Sequence, residues 1–349
     1  MSVITYQYRI KDSQHRNHLL RMSWAVNRVW NYLNDVSMLA WRRERKFLSA
    51  FELQRLTAGC GKDLGLHSQT VQAICDEYVA RRRSARKIRL HWRSFKRSLG
   101  WIPFYNQAIR IEGEAVIFRQ RTYALWLSRG IGGKIKFGSF TQDARGRWYL
   151  NLNCEVEDQP QFQLGLDAVG IDLGLKDQIA CSDGVIYNRQ NLTRQYEDDL
   201  AMAQRAGKKH RIKSIHAKIK NVRKDWTHKV TTAIARHYSF IAVGDVSSTQ
   251  MAKTKMAKST YDAGWGMIRH QLTYKAIRLA GVCVPVRESF SSITCSGCFA
   301  RSGPSGLSAL GVREWTCSPC GISHHRDINA AHNILRLGRQ TLTKGIPRL

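Results

Sequence analysis

The chain has 349 residues, 43% of them hydrophobic and 23% charged, which are the proportions of a folded protein rather than a disordered or fibrous one. That length exceeds what one hydrophobic core usually supports, so two or three packed units are expected. Fifty-six Lys and Arg against 26 Asp and Glu leave a net charge of +30, a self-repulsion that a polyanion offsets, and nucleic acid is the leading partner. No apolar run is long enough to span a bilayer, no lipidation motif is visible, and the stretch Met1 to Arg9 lacks the basic-then-apolar pattern of a signal. A cytoplasmic, nucleoid-associated protein is the expectation.

Val3, Thr5 and Gln7 alternate with Ile4, Tyr6 and Tyr8, which predicts a strand. Leu19, Met22, Val26, Val29, Leu33 and Val36 then recur at three- and four-residue spacing and predict a helix with one core-facing stripe. A second helical stretch carries Arg81, Arg82, Arg83, Arg86, Lys87, Arg89 and Arg93, continues through Lys96 and Arg97, and contains no acid. Solvated helix faces usually mix both signs of charge, and guanidinium forks suit phosphates, so this stretch is expected to contact nucleic acid. Trp92, Trp101, Phe104 and Tyr105 stand nearby either to stack on bases or to fill core. From Trp101 to Leu152, short alternating segments with glycine breaks predict an antiparallel β unit. Its first strand falls at 3–9, so the helices between read as an insertion, and the polar stretch Glu155 to Gln163 reads as a boundary.

The second half opens with Gly170-Ile171-Asp172-Leu173-Gly174, a strand ending in an aspartate. A short strand from Ile179 follows, then a helix with the stripe Ile212, Ile215, Ile219, Val222 and Trp226. The other face of that helix carries Lys208, Lys209, Arg211, Lys213 and Lys220 in an acid-free run over 201–224, a second candidate phosphate surface. Strands at Phe240–Val246 and Val282–Glu288 around a helix from Trp265 complete an α/β layer. Cys295, Cys298, Cys317 and Cys320 read C-x2-C, eighteen residues, C-x2-C, the spacing of a tetrahedral structural zinc site. Cys60, Cys75, Cys154, Cys181 and Cys283 lack pair spacing and read as free thiols of a reducing compartment. With four thiolates available, His324 and His325 are assigned to the surface or to phosphate contact.

Metal-assisted phosphodiester cleavage needs two or more carboxylates converging on Mg2+. Asp172 ends a strand and Asp327 opens the last helix; each alone could be a turn or cap residue, but together in a chain of this charge they favour a nuclease. A covalent recombinase would need a nucleophilic Tyr or Ser in a fitting context, and none is visible.

Four segments carry a family resemblance: Gly170 to Gly174, Lys258-Ser259-Thr260-Tyr261-Asp262-Ala263-Gly264-Trp265, Ser292 to Cys298, and Cys317 to Asn333 with Asp327-Ile328-Asn329-Ala330-Ala331. In these the sequence resembles TnpB, the RNA-guided endonuclease of bacterial insertion sequences and a relative of type V CRISPR effectors. The resemblance implies an α+β multidomain protein. A β-barrel wedge domain would occupy 1–17 and 99–164, with a helical recognition insertion at 18–98. A RuvC-like (RNase H-type) nuclease domain would occupy 165–290 and 323–349, interrupted by a zinc ribbon at 291–322. It further implies a guide RNA and double-stranded DNA as partners, a short flanking motif read by the protein, catalytic Mg2+ and structural Zn2+.

The family's first and third catalytic aspartates carry over to Asp172 and Asp327. Its second catalytic residue, a glutamate, does not, because Gly244 stands in its place and Asp245 follows. Asp245 is one residue along and would face the other way unless the backbone turns. Glu288 continues the parity of Val282, Val284 and Val286 and is the better replacement. The expectation is therefore a nuclease using Asp172, Glu288 and Asp327. The alternatives are a nuclease-inactive, RNA-guided DNA-binding repressor and a compact type V CRISPR effector.

Overall fold

The computed structural model describes residues 2–11, 15–157, 167–188, 192–246, 259–260, 263–306 and 308–343. It divides into two compact units, Met1–Asp158 and Gln159–Leu349.

The first unit runs β1 (Ser2–Ile10), α1 (Arg16–Glu44), α2 (Ala50–Leu56), α3 (Cys60–Leu64) and α4 (Ser68–Ala85). After these come β2 (Trp101–Tyr105), β3 (Ile109–Glu112), β4 (Ala115–Phe118), β5 (Arg121–Trp126), β6 (Lys134–Gln142) and β7 (Trp148–Val156). The seven strands form one sheet in the order β2-β6-β7-β1-β5-β4-β3, with every pairing antiparallel. On β7, Trp148, Leu150, Leu152 and Cys154 are buried in strict alternation, which fixes the register. The opposite face carries polar cross-strand pairs, Thr5 Oγ1 donating to Asn153 Oδ1 (2.6 Å) and Gln7 Nε2 to Asn151 Oδ1 (2.8 Å). The edge strands β2 and β3 are joined by a single 3-10 turn at Asn106–Ala108. Ring centroids of Phe104 on β2 and Phe118 on β4 are 5.9 Å apart, and both rings meet Phe140 on β6, so the sheet curls until it nearly closes around an aromatic core.

Helix α1 buries Leu19, Met22, Val26, Val29 and Leu33, as their spacing predicts, while Val36 is only partly covered. The basic stretch differs from expectation, because α4 stops at Ala85 and Arg86 takes a positive φ of 49°. Beyond it the chain lies along α1 on a ladder of asparagines. Asn34 exchanges hydrogen bonds with the backbone of Leu90 (2.7 and 3.0 Å), and Asn31 does so with that of Arg93 (2.8 and 2.9 Å). The left-handed Arg86 ends the helix, and beyond it side-chain amides satisfy backbone groups in place of helical partners.

The second unit contains β8 (Ala168–Asp172), β9 (Ile179–Cys181), β10 (Ile186–Tyr187), α5 (Leu192–Gln195), α6 (Glu197–Arg205), α7 (Lys209–His237) and β11 (Phe240–Gly244). It continues with α8 (Trp265–Arg278), β12 (Val282–Val286), β13 (Glu314–Thr316), β14 (Ser323–His325) and α9 (Arg326–Thr343). Five strands make a mixed sheet in the order β10-β9-β8-β11-β12, with β8, β11 and β12 parallel and β9 antiparallel to β8. Strands β13 and β14 form a separate hairpin.

Helix α9 lies flat on this sheet because the contact residues are small. A Cβ on Gly170 would strike the Ala331 carbonyl, and one on Gly338 would meet the Ala242 methyl. On α7 the predicted stripe breaks at Val222, which is 39% exposed. Ile215 and Ile219 pack with Ala203 of α6, whereas Val230 and Ile234 belong to the sheet's core; Val222 falls between the two contacts. In the Lys258–Trp265 motif, Lys258, Tyr261 and Asp262 lie outside the described residues, as does most of the stretch from Glu155 to Gln163.

Candidate active site and metal centre

Strands β8, β11 and β12 are parallel, so their C-terminal ends share one edge of the sheet. Asp172 is the last residue of β8, Glu288 lies two residues beyond β12, and Asp327 stands in the first turn of α9. Burial pushes the Asp172 carboxyl up to about 8, and the negative charges of Glu288 and Asp327 add to the shift; Arg326 and the Leu173 N–H pull the other way. Burial likewise raises Glu288, with Arg269 opposing, and Glu288 Oε2 is buried with no hydrogen-bond partner among the described residues. An orphaned carboxylate oxygen of this kind is a strong acceptor for a cation.

Gly244 explains how Glu288 fits. A Cβ at Gly244 would collide with Glu288 Oε2, so the glutamate carboxylate fills the space where a side chain at the end of β11 would begin. Asp245, one residue on, is exposed and its carboxylate pairs with Arg269 of α8, while its N–H donates to the Val286 carbonyl (2.8 Å).

Asp327 is 7% exposed, and both its oxygens accept from Arg313 Nη1, at 3.0 and 2.7 Å. Burial raises its carboxyl, Arg313 lowers it, and a hydrogen bond with Asp177 raises it again. Asp177 is itself buried, accepts from Asn188 Nδ2 (3.0 Å), and has Oδ2 3.8 Å from His325 Nε2. Arg313 and Asp177 were not legible in the sequence. Nothing in spacing links Arg313 to an aspartate fourteen residues later across a folded hairpin.

The four predicted cysteines do converge. Among the described residues, Cys295, Cys298, Cys317 and Cys320 are the one group of three or more His, Cys, Asp or Glu side chains that could hold a metal ion, with ligand atoms all within 4.8 Å of one another; Asp172, Glu288 and Asp327 do not form such a group. Sulfur separations are 3.6 Å for Cys295 to Cys320 and 3.5 Å for Cys298 to Cys317. A tetrahedron with bonds of about 2.3 Å has edges of about 3.8 Å, so the cluster fits a metal of that size. The Ser302 hydroxyl beside Cys317 draws that thiol down to about 6. His324 departs from its assignment to the surface, because its Nε2 is 3.0 Å from Cys295 Sγ. The hairpin pairing of Trp315 with His324 turns the ring inward.

Asn329 and Asn333, one helical turn apart on α9, tie this cluster to the helix that Asp327 opens. Asn329 Oδ1 accepts from Ser296 N (2.8 Å), and both asparagine amides donate to the Thr294 carbonyl, at 2.8 and 2.7 Å.

The predicted phosphate contacts divide. Lys208, Lys209, Arg211, Lys213 and Lys220 are all exposed, with Arg211 near Asp199 (3.6 Å). Arg83, Arg86, Lys87 and Arg89 are exposed, and Arg81 is exposed and paired with Glu77. Arg82 is used internally: it is 5% exposed, donates to the Leu48 carbonyl and covers Phe47. Arg93 is also tied down, bonded to Asn27 Oδ1 (2.6 Å) and the Leu99 carbonyl (2.9 Å) and packed over Trp101. Phe104 is core, whereas Trp92 is 46% exposed beneath the Arg89 guanidinium.

Two family models match the chain: residues 151–255 match a family described as a probable transposase, OrfB_IS605, and residues 265–334 match the Cas12f1-like TNB domain. The second unit thus combines segments of both, and the resemblance to the TnpB family is established. The "Putative RNA-guided DNA endonuclease InsQ" of Escherichia coli (strain K12) is 28% identical over 246 residues, 62% of this chain and 60% of its own length. A "Putative RNA-guided DNA endonuclease" of Streptomyces pristinaespiralis is 33% identical over 212 residues, 57% of this chain and 52% of that protein. The chain therefore spans between half and two thirds of the length of these curated relatives. A solved Cas12f1-sgRNA-target DNA complex aligns over 96% of this chain and 99% of its own, at 15% identity and a TM-score of 0.37. Among the described residues no helix is long and apolar enough to cross a membrane.

Proposed function

We propose that the chain is an RNA-guided, Mg2+-dependent DNA endonuclease in which Asp172, Glu288 and Asp327 form the catalytic set. The observation that carries this reading is Glu288 Oε2, without a partner among the described residues, lying over the bare backbone of Gly244 beside an Asp172 that feels its charge. A chain that had merely lost its second acid would have no reason to keep a buried, unpaired carboxylate in the vacated space.

The strand order β10-β9-β8-β11-β12, with the second strand antiparallel, supports a RuvC-like, RNase H-type assignment for the domain at 165–290 and 323–349. The nearly closed antiparallel sheet supports a wedge domain at 1–17 and 99–164 with a helical insertion at 18–98. The names of the matched relatives support a guide RNA and target DNA as partners.

Hard carboxylate oxygens suit Mg2+, which would be held by Asp172, Glu288 and Asp327 and would supply charge neutralisation for the attacking and leaving oxygens. The residues act around it. Asp172 retains a proton near neutrality until positive charge enters the site. Arg313 fixes the Asp327 carboxylate in one orientation and leaves guanidinium charge beside it for a phosphate. Cys295, Cys298, Cys317 and Cys320 would hold Zn2+, keeping the ribbon folded so that Arg313 stays in reach of Asp327.

The test is cleavage of a matched plasmid library by protein purified with its own RNA in Mg2+. Loss of cutting in Asp172→Ala and Glu288→Ala with retention in Asp245→Ala is the expected result. Wild-type protein that binds its target and never cuts would replace this reading with the repressor one, for which Arg313 already neutralising Asp327 is the favouring observation.

A further inference from the structure

In the first unit a cavity of about 1200 Å³ is lined at its charged and titratable positions by His15, His18, His67, Arg110, Arg119 and Arg121. Among the described residues no carboxylate lines it. Arg110 is paired with Glu112 on the sheet, but no described carboxylate pairs with Arg119 or Arg121. Arg121 instead places Nη1 3.2 Å from His15 Nδ1. His15 and His67 are the N-cap residues of α1 and α4, and neither helix has an acid in its first turn. The cavity therefore also receives the positive ends of two long helices.

Strands β4 and β5 are joined by Arg119 and Gln120 alone, and both take positive φ, 51° and 60°. Such two-residue turns favour Asn and Gly, because a Cβ is strained there. A side chain kept at a strained position is a sign that the side chain is used. The surroundings of His18 report the local field. Burial first, then the charges of Arg121, Arg21, His15 and Arg119, hold its imidazole down to about 4 while Nδ1 meets Tyr123 Oη at 2.7 Å.

We propose that this cavity is a binding site for closely spaced phosphate groups, gripped by the guanidinium forks of Arg119 and Arg121 with the histidines donating beside them. The phosphates come from an RNA backbone or from a free polyphosphate. Only the RNA source rests on the function proposed above; the chemistry of the cavity does not.

Two probes, inorganic tripolyphosphate and a short single-stranded RNA, are titrated into the full chain by calorimetry over a range of salt. The expected result is that the variant carrying Arg119→Gly and Arg121→Ala binds at least about tenfold more weakly. For RNA, the dependence of log K on log salt also flattens by about two units. Loss confined to tripolyphosphate assigns the site to a free polyphosphate, and loss confined to RNA assigns it to the backbone. Affinity unchanged for both probes, or no binding of either by wild type, overturns the proposal. Arg119→Gly alone guards against a folding artefact, because it relieves the strained turn. Its melting temperature should rise by about 2 °C while affinity falls, a pairing a purely structural arginine would not give. Both titrations are made without Mg2+, where no cleavage occurs, so failure of the nuclease reading and failure of this one are separable.

Discussion

Arg313 Nη1 reaches both oxygens of Asp327, at 3.0 and 2.7 Å, so an arginine from the segment between the two cysteine pairs neutralises the acid that opens the last helix. The two side chains are 26% and 10% exposed, which makes this a largely buried pair. Removing one partner of such a pair strands the other charge. Arg313→Ala should lower the free energy of unfolding by about 3 kcal/mol in urea titration, whereas adding Asp327→Asn to it should recover part of that loss. If the double variant is as unstable as Arg313→Ala alone, the pair is not what stabilises this region.

The second prediction concerns Gly244. Because a Cβ there would collide with Glu288 Oε2, Gly244→Ala should displace the glutamate and reduce cleavage at least about tenfold, with little change in target binding. Returning the acid to β11 with Gly244→Glu and Glu288→Ala together should restore cutting above the level of Glu288→Ala alone. Cleavage rates on a matched plasmid decide the matter, and full activity in Gly244→Ala would remove Glu288 from the site.

A third prediction follows from Asp172. Its folded carboxyl is raised to about 8, well above the unfolded value of about 3.9, so the folded state binds more protons between those limits. The sign is that metal-free protein loses stability as pH rises from about 4 towards 8, by about 2 kcal/mol across pH 6 to 8. Mg2+ should restore the lost stability at pH 8, and Asp172→Asn should reduce both effects, the raised carboxyls of Glu288 and Asp327 leaving a remainder. Thermal melts at pH 6 and 8, with and without Mg2+, measure this.

The cysteine cluster gives the fourth. Cys317→Ser should abolish metal binding and expose the segment before α9 to limited proteolysis, since Asn329 and Asn333 bond to the loop that a metal held by the four cysteines would close. Metal content of the purified variant is the direct readout, and retention of one equivalent would count against the cluster as a closed site. His324→Ala should weaken metal retention against a chelator without abolishing it, because the imidazole contacts Cys295 from outside the four-sulfur set.

Much of this architecture was visible in residue order. Period-two alternation located β1 and β7, the stripe from Leu19 to Leu33 located α1, and cysteine spacing alone brought together the four-cysteine cluster. What escaped were relationships between residues distant in sequence. The asparagines that hold the non-helical chain beyond α4 lie more than fifty residues earlier, and no local propensity reports them. The clasp of Arg313 on Asp327 spans the β13–β14 hairpin, which brings the two ends of that segment together. The inward turn of His324 was missed because four sulfurs satisfy the coordination count, and counting ligands does not show who leans on them.

The asparagine ladder on α1 has a bearing on how the arginine-rich segment meets a partner. Asn31 and Asn34 clamp the backbone from Leu90 to Arg93 at four hydrogen bonds, and Asn27 holds the Arg93 side chain. Basic segments of this composition commonly behave as loose tails that surrender chain entropy on every encounter. Here the folding of α1 has already met that cost. The exposed Arg89 and Trp92 project from a prearranged backbone, so contact with a polyanion requires side-chain adjustment alone.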